Sequence, residues 1–275
     1  MTVSGVTETG VAAPGVAAPG GQAQVFLAVL RRDLYVTAHD LPAFLAQVIL
    51  QPLFLLFVFG KVLGSLGYTQ HNYASLLFPG LLALTAVITG VQSLAFPLVA
   101  EFGWTMEIED RLLAPMRTGL VAAEKVVFAT LRALAAATIM IPIGIVVLGS
   151  IPWRWDAMGL FLPVVVLGSL LGAAIGLLIG TLVRPPQINI VFSLIFTPLL
   201  FTGCSQYPWP SLSRLEWFQV VTAANPMTYV SEGMRAALIP NVPHIRPWVC
   251  LTVLVGSLVV LLNIGGRGFY RRTIG

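Results

Sequence analysis

Long apolar runs limit this chain more than any other feature, lying at about 41–63, 75–99, 121–149, 157–183, 187–204 and 248–266. About 20 apolar residues, rising 1.5 Å each in a helix, match the ~30 Å hydrocarbon core of a bilayer. The runs lack the two-residue alternation of a barrel strand. Within lipid, backbone N–H and C=O groups must be satisfied inside the protein, so runs of this kind become helices. The fold class is therefore all-α integral membrane, with six transmembrane helices. Only 9% of residues are charged, against roughly a quarter in a soluble domain, which excludes a soluble enzyme or binding module. The net charge of +4 forms no basic stripe, so it speaks for membrane orientation rather than nucleic acid.

Residues 1–23 read as a disordered cytoplasmic tail, with the tandem Val11-Ala12-Ala13-Pro14-Gly15 and Val16-Ala17-Ala18-Pro19-Gly20 offering no bulky residue and no periodicity. The start lacks the basic and apolar regions of a secretory signal. From Gln24 to Asp40, Phe26, Leu27, Leu30 and Leu34 share one helical face, away from Arg31, Arg32 and Asp33. This predicts an amphipathic helix in the membrane interface. Residues 24–275 then form one transmembrane domain. With the N-terminus inside, nine basic residues (Arg31, Arg32, Arg111, Arg117, Lys125, Arg184, Arg267, Arg271, Arg272) face the cytoplasm and five (Lys61, Arg154, Arg214, Arg235, Arg246) face out, which places both termini in the cytoplasm. Arg132, inside the third run, reads as a cation snorkelling to the inner interface, with a buried functional charge as the alternative.

The run interiors carry no carboxylate and no histidine; His39, His71 and His244 sit at or beyond run ends. That disfavours a proton-coupled carrier and intramembrane hydrolysis. Cys204 and Cys250 are the only cysteines, too few for a metal framework, and read as small packing residues with a disulfide as the alternative. No catalytic or metal site is expected. A phosphate loop requires Gly-Lys-Ser/Thr, and both lysines, Lys61 and Lys125, precede valine. Uphill transport therefore requires energy from another subunit.

Charge is concentrated at residues 101–125, where Glu101, Glu107, Glu109, Asp110 and Glu124 supply five of the eleven acids. Ile108, Leu112, Leu113 and Met116 form an apolar face, with Glu107, Asp110 and Arg111 turned elsewhere, which predicts a short amphipathic helix broken by Pro115. By residue pattern alone it either lies on headgroups or docks into a cleft on a cytoplasmic partner. Further on, Asn225 suits a helix cap with Pro226 at the first helical position, and Glu232 and Arg235 stand one turn apart, where they can pair. Gly168, Gly172, Gly176 and Gly180 recur every four residues, predicting a bare helix face for close packing or, alternatively, for substrate.

Three stretches resemble the ABC-2 family of membrane permeases, the transmembrane halves of ATP-binding-cassette exporters. Glu109-Asp110-Arg111-Leu112-Leu113-Ala114-Pro115 with the later Lys125 resembles the family's coupling segment, with Glu124 in place of its usual glycine. Gln51-Pro52 through Phe59-Gly60 resembles its first span, and Asn225-Pro226-Met227-Thr228-Tyr229 through Arg235 resembles the stretch before its last span. The resemblance implies that Glu107, Glu109, Asp110, Arg111, Leu112, Leu113 and Pro115 couple the chain to a cytoplasmic ABC ATPase. It also implies that Asn225, Pro226, Tyr229, Glu232 and Arg235 belong to a re-entrant outer hairpin, for which an ordinary amphipathic loop is the alternative. ATP and Mg would sit on the partner, none in this chain, and a second permease chain, identical or homologous, would complete the path in a bacterial-type plasma membrane. The implied cargo is a hydrophobic or amphiphilic drug, antibiotic or lipid-linked molecule, with polysaccharide or lipo-oligosaccharide as the alternative and an ion-coupled secondary transporter as the competing class.

Overall fold

The computed structural model describes residues 19–39, 41–66, 73–103 and 118–274, and every regular element among them is helical. Helix α1 spans Pro19–His39, starting five residues before the expected Gln24 because proline presets the φ of a first helical turn. It leaves Leu27, Tyr35 and Val36 exposed beside Arg31 and Arg32. Residues 1–18, most of the expected tail, lie outside the described residues.

The long helices that follow are α3 (Tyr73–Gly103), α4 (Thr118–Leu148), α5 (Met158–Leu182), α6 (Ile188–Thr202) and α9 (Pro247–Ile274). Among the described residues, five stretches are long and apolar enough to cross a membrane: Tyr73–Gly103, Thr118–Leu148, Trp155–Leu182, Pro185–Thr202 and Pro247–Thr273. The first expected span is built differently. Helix α2 (Leu41–Leu55) contains Pro52 and continues as π-helix over Leu56–Val62 before a last turn at Leu63–Ser65. Its apolar part, Leu50–Ser65, is shorter than the other five.

Helix α3 is the hub. Of its most apolar stretch, 78% is buried within the chain, against 11% for the Pro185–Thr202 stretch that contains α6. Lipid is as apolar as leucine, so helices associate here through close contact rather than water exclusion. The glycine stripe of α5 supplies that contact. A Cβ on Gly172 would lie 2.2 Å from the Val87 carbonyl oxygen of α3, and Gly176 and Gly180 also face α3. Gly168 instead faces Val230, on α8 (Pro226–Leu238), which follows the short α7 (Glu216–Ala224).

Residues Glu101, Glu124 and Lys125 belong to the long helices rather than to a loop. Helix α3 runs on to Gly103 and α4 starts at Thr118, and all three side chains are buried. The expectation of carboxylate-free spans therefore fails at this end of the bundle. No proline or glycine stands between Pro97 and Glu101 in α3 or between Gly119 and Lys125 in α4, so the winding continues through the charged residues. Both cysteines are free and buried, so the disulfide alternative is not realised.

Candidate functional site at the two ends of the central helix

Polar groups gather at both ends of α3. At its C-terminal end, Lys125 Nζ lies 2.7 Å from Glu101 Oε1 and 2.6 Å from Oε2. Each residue is more than nine-tenths buried, so the pair joins the end of α3 to the start of α4 in a low-dielectric setting. On the same side, Arg272 of α9 donates through Nη1 to the carbonyls of Gly180, Thr181 and Val183, at 3.1, 3.2 and 2.9 Å. The first two are among the last carbonyls of α5 and the third belongs to the residue that caps it, where backbone oxygens lack helical partners and attract a cation. The Arg272 guanidinium also stands 4.6 Å from the Phe102 ring centroid, which ties α9 to α3.

Glu101 and Lys125 bracket the segment expected to contact an ATPase. Glu107, Glu109, Asp110, Arg111, Leu112, Leu113 and Pro115 all fall within 104–117, outside the described residues.

The opposite end is built by α8. Asn225 is extended, with its side-chain oxygen accepting from Met227 N at 3.0 Å, and Pro226 occupies the first turn. The helix then presents a polar stripe. The Asn225 amide donates to Thr202 Oγ1 at 2.9 Å, Thr228 Oγ1 lies 3.1 Å from Thr202 O and 2.6 Å from Thr222 O, and Ser231 donates to Gly203 O at 2.8 Å. The Tyr229 hydroxyl donates to Ala223 O at 2.9 Å, closing α7 onto α8.

Glu232 and Arg235 complete the stripe, and neither has any exposed surface. Their atoms meet at 2.6 Å, Oε1 to Nη1. Arg235 Nη2 also donates to Cys204 O at 2.5 Å and Ser205 O at 3.0 Å. Glu232 accepts from Trp209 N at 3.0 Å and Ile245 N at 3.1 Å. One ion pair thus holds four chain segments. Cys204 itself is left-handed, at φ 51°, a conformation a residue with a Cβ adopts only when its surroundings impose it. Burial pushes its thiol up to about 11, so the sulfur stays neutral. Gly80 of α3 makes room for the turn, since a Cβ there would meet Ser205 O at 1.8 Å and Arg235 Nη2 at 2.9 Å.

The structure brings Asn225, Pro226, Tyr229, Glu232 and Arg235 together on one helix. Sequence reasoning missed Ser231 and Thr228, although their spacing from Glu232 and Arg235 placed them on the same face. It also missed the partners of Arg235, which are backbone carbonyls and carry no residue signal. The Glu101–Lys125 pair was visible only as opposite charges flanking one segment. Among the described residues no group of three or more His, Cys, Asp or Glu side chains is placed to hold a metal.

With this geometry in hand, comparison with known proteins gives two findings. The sequence model of the family described as "ABC-2 type transporter" matches residues 24–239. A provisionally named transport permease, ycf38, of Cyanophora paradoxa is 26% identical over 220 residues, covering 76% of this chain and 72% of that protein.

Proposed function

The chain belongs to the ABC-2 type transporter family, and on that premise we propose that it is the transmembrane subunit of an exporter for hydrophobic or amphiphilic cargo. Membership in this family implies a partner ATPase. In our reading that partner is a separate cytoplasmic subunit that docks on residues 104–117 and supplies ATP hydrolysis. Both termini lie on the same side, with Leu41–Ser65 as the sixth crossing.

One observation carries the coupling role. The buried Glu101–Lys125 pair clamps the two helices from which the docking segment hangs, so a displacement of that segment moves α3 and α4 together. Helix α3 is the hub of the fold, and its far end packs against the Arg235 turn through Gly80. Rigid-body rocking would therefore link the ATPase side to the outer hairpin, as a population shift driven by nucleotide binding.

A second chain is supported by α6. Its exposed face presents Asn189, Ser193 and Thr197 beside Ile190 and Leu194, along a groove of about 710 Å³. Polar side chains facing lipid are costly, and a second permease copy placed here would cover them and line a path.

The test is co-purification with the accompanying ABC ATPase, using Glu109→Arg with Arg111→Glu. The expected result is lost assembly or uncoupled hydrolysis with normal membrane insertion. Unchanged export by the variant would sink the docking assignment.

A further inference from the structure

A cavity of about 310 Å³ lies between α1, α3 and α4, and the transport reading uses only its Glu101–Lys125 edge. Its wall includes Arg32 and Asp33 of α1, Glu101 of α3, and Lys125, Phe128 and Arg132 of α4. Three cations thus face two carboxylates. Both carboxylates are engaged, Glu101 by Lys125 and Asp33 by a contact of its own.

Arg132 is different. Among the described residues it makes no ion pair. Its guanidinium carbon lies 4.4 Å from the Phe44 ring centroid and 5.6 Å from that of Phe128, and its buried Nε has no hydrogen-bond acceptor. Aromatic faces hold a guanidinium by its plane and leave its edge donors available. Those donors face a cavity.

Depth points to the same chemistry. Helix α4 has 31 residues, about 46 Å at helical rise, and so overshoots the ~30 Å hydrocarbon core by roughly ten residues. If the overshoot lies at its charged N-terminal end, Arg132 sits just inside the headgroup boundary. Helix α1, which shares the cavity wall, carries exposed Leu27 and Tyr35, residues suited to the membrane interface. An unpaired cation at that depth calls for a counter-anion, and a planar fork of donors matches phosphate.

We propose that this cavity binds the phosphate of an anionic phospholipid from the leaflet in which α1 lies. Arg132 is the anchor and Arg32 the second cation. The lipid is a resident ligand that pins α1 to α3 and α4, not the transported cargo. The cavity shares Glu101 and Lys125 with the clamp of the coupling reading, but the lipid site rests on Arg132 and Arg32, which that reading does not use. Lipid retention in the Arg132 and Arg32 variants and ATPase stimulation in the Glu101 and Lys125 variants therefore test the two separately.

The test is native mass spectrometry of the purified full chain titrated with phosphatidylglycerol, with a diglucosyl diacylglycerol that lacks phosphate, and with inorganic phosphate. The expected result is about tenfold preference for phosphatidylglycerol over the glycolipid, lost in Arg132→Gln and reduced about threefold in Arg32→Gln. Arg32 is exposed, so its replacement leaves folding intact and decides the matter if Arg132→Gln does not fold. Unchanged phosphatidylglycerol retention in folded variants, or equal retention of the glycolipid, overturns the proposal. Arg132-dependent binding of inorganic phosphate without a lipid preference overturns it as well.

Discussion

Glu232 and Arg235 stand one helical turn apart on α8, wholly buried and 2.6 Å apart, and each spends its remaining capacity on backbone groups of other segments. Such a pair gains little over an apolar pair of similar volume, but losing one partner strands the other charge. The hairpin at this end is therefore held by a contact that fails when either half is removed.

Arg235→Met leaves Glu232 buried and uncompensated, and the expected loss is about 3–5 kcal/mol. Thermal unfolding in detergent should show a large drop in Tm. Glu232→Gln with Arg235→Met should recover part of it, and a double variant as unstable as the single would contradict the ion-pair account.

Gly172→Ala drives a methyl toward the Val87 carbonyl oxygen, whereas a Cβ on Gly159, in the first turn of the same helix, meets nothing within 4 Å. The first substitution should lower Tm and folded yield, and Gly159→Ala should be neutral or stabilising by ~0.5–1 kcal/mol. Equal effects at the two positions would show that α3 and α5 do not pack this closely.

Lys125→Gln should weaken stimulation of the partner ATPase without abolishing membrane insertion, and so should Glu101→Gln. The exchange Glu101→Lys with Lys125→Glu restores the attraction and should recover stimulation. Vesicle ATPase assays compare the variants, and full activity in both single variants would remove the pair from coupling.

Cys204 tests burial through pH. Its thiol is raised to about 11 from an ordinary value of 9.0, mainly by burial. The folded state therefore holds this proton more tightly than the unfolded state. The associated stability is complete below pH 9 and fades as pH rises through about 11. Maleimide labelling at pH 8 should be slow in the native protein and rapid at both cysteines in denaturant. Rapid native labelling of Cys204 would mean that the turn is open.

How much was legible in advance follows from the range of each interaction. The Asn225 cap and the Glu232–Arg235 pair involve neighbours within one turn, and spacing alone announces them. The Glu101–Lys125 pair spans 24 positions, and nothing local distinguishes it from two charges in a loop. The first expected span had the right apolarity, yet its π-helical part is not visible in a hydropathy profile.

By itself, the sequence determined that this chain is a set of apolar helices, because run length and the need to satisfy backbone groups in lipid leave no other solution. It also determined where charge collects and where α8 begins. Only the tertiary structure decided that Gly168 faces α8 while Gly172, Gly176 and Gly180 face α3, and that Arg235 holds the Cys204 turn. It alone left Arg132 between two phenylalanines at the edge of a cavity. Period and composition are properties of one helix, whereas the choice of partner depends on which surfaces fit once all the helices are placed.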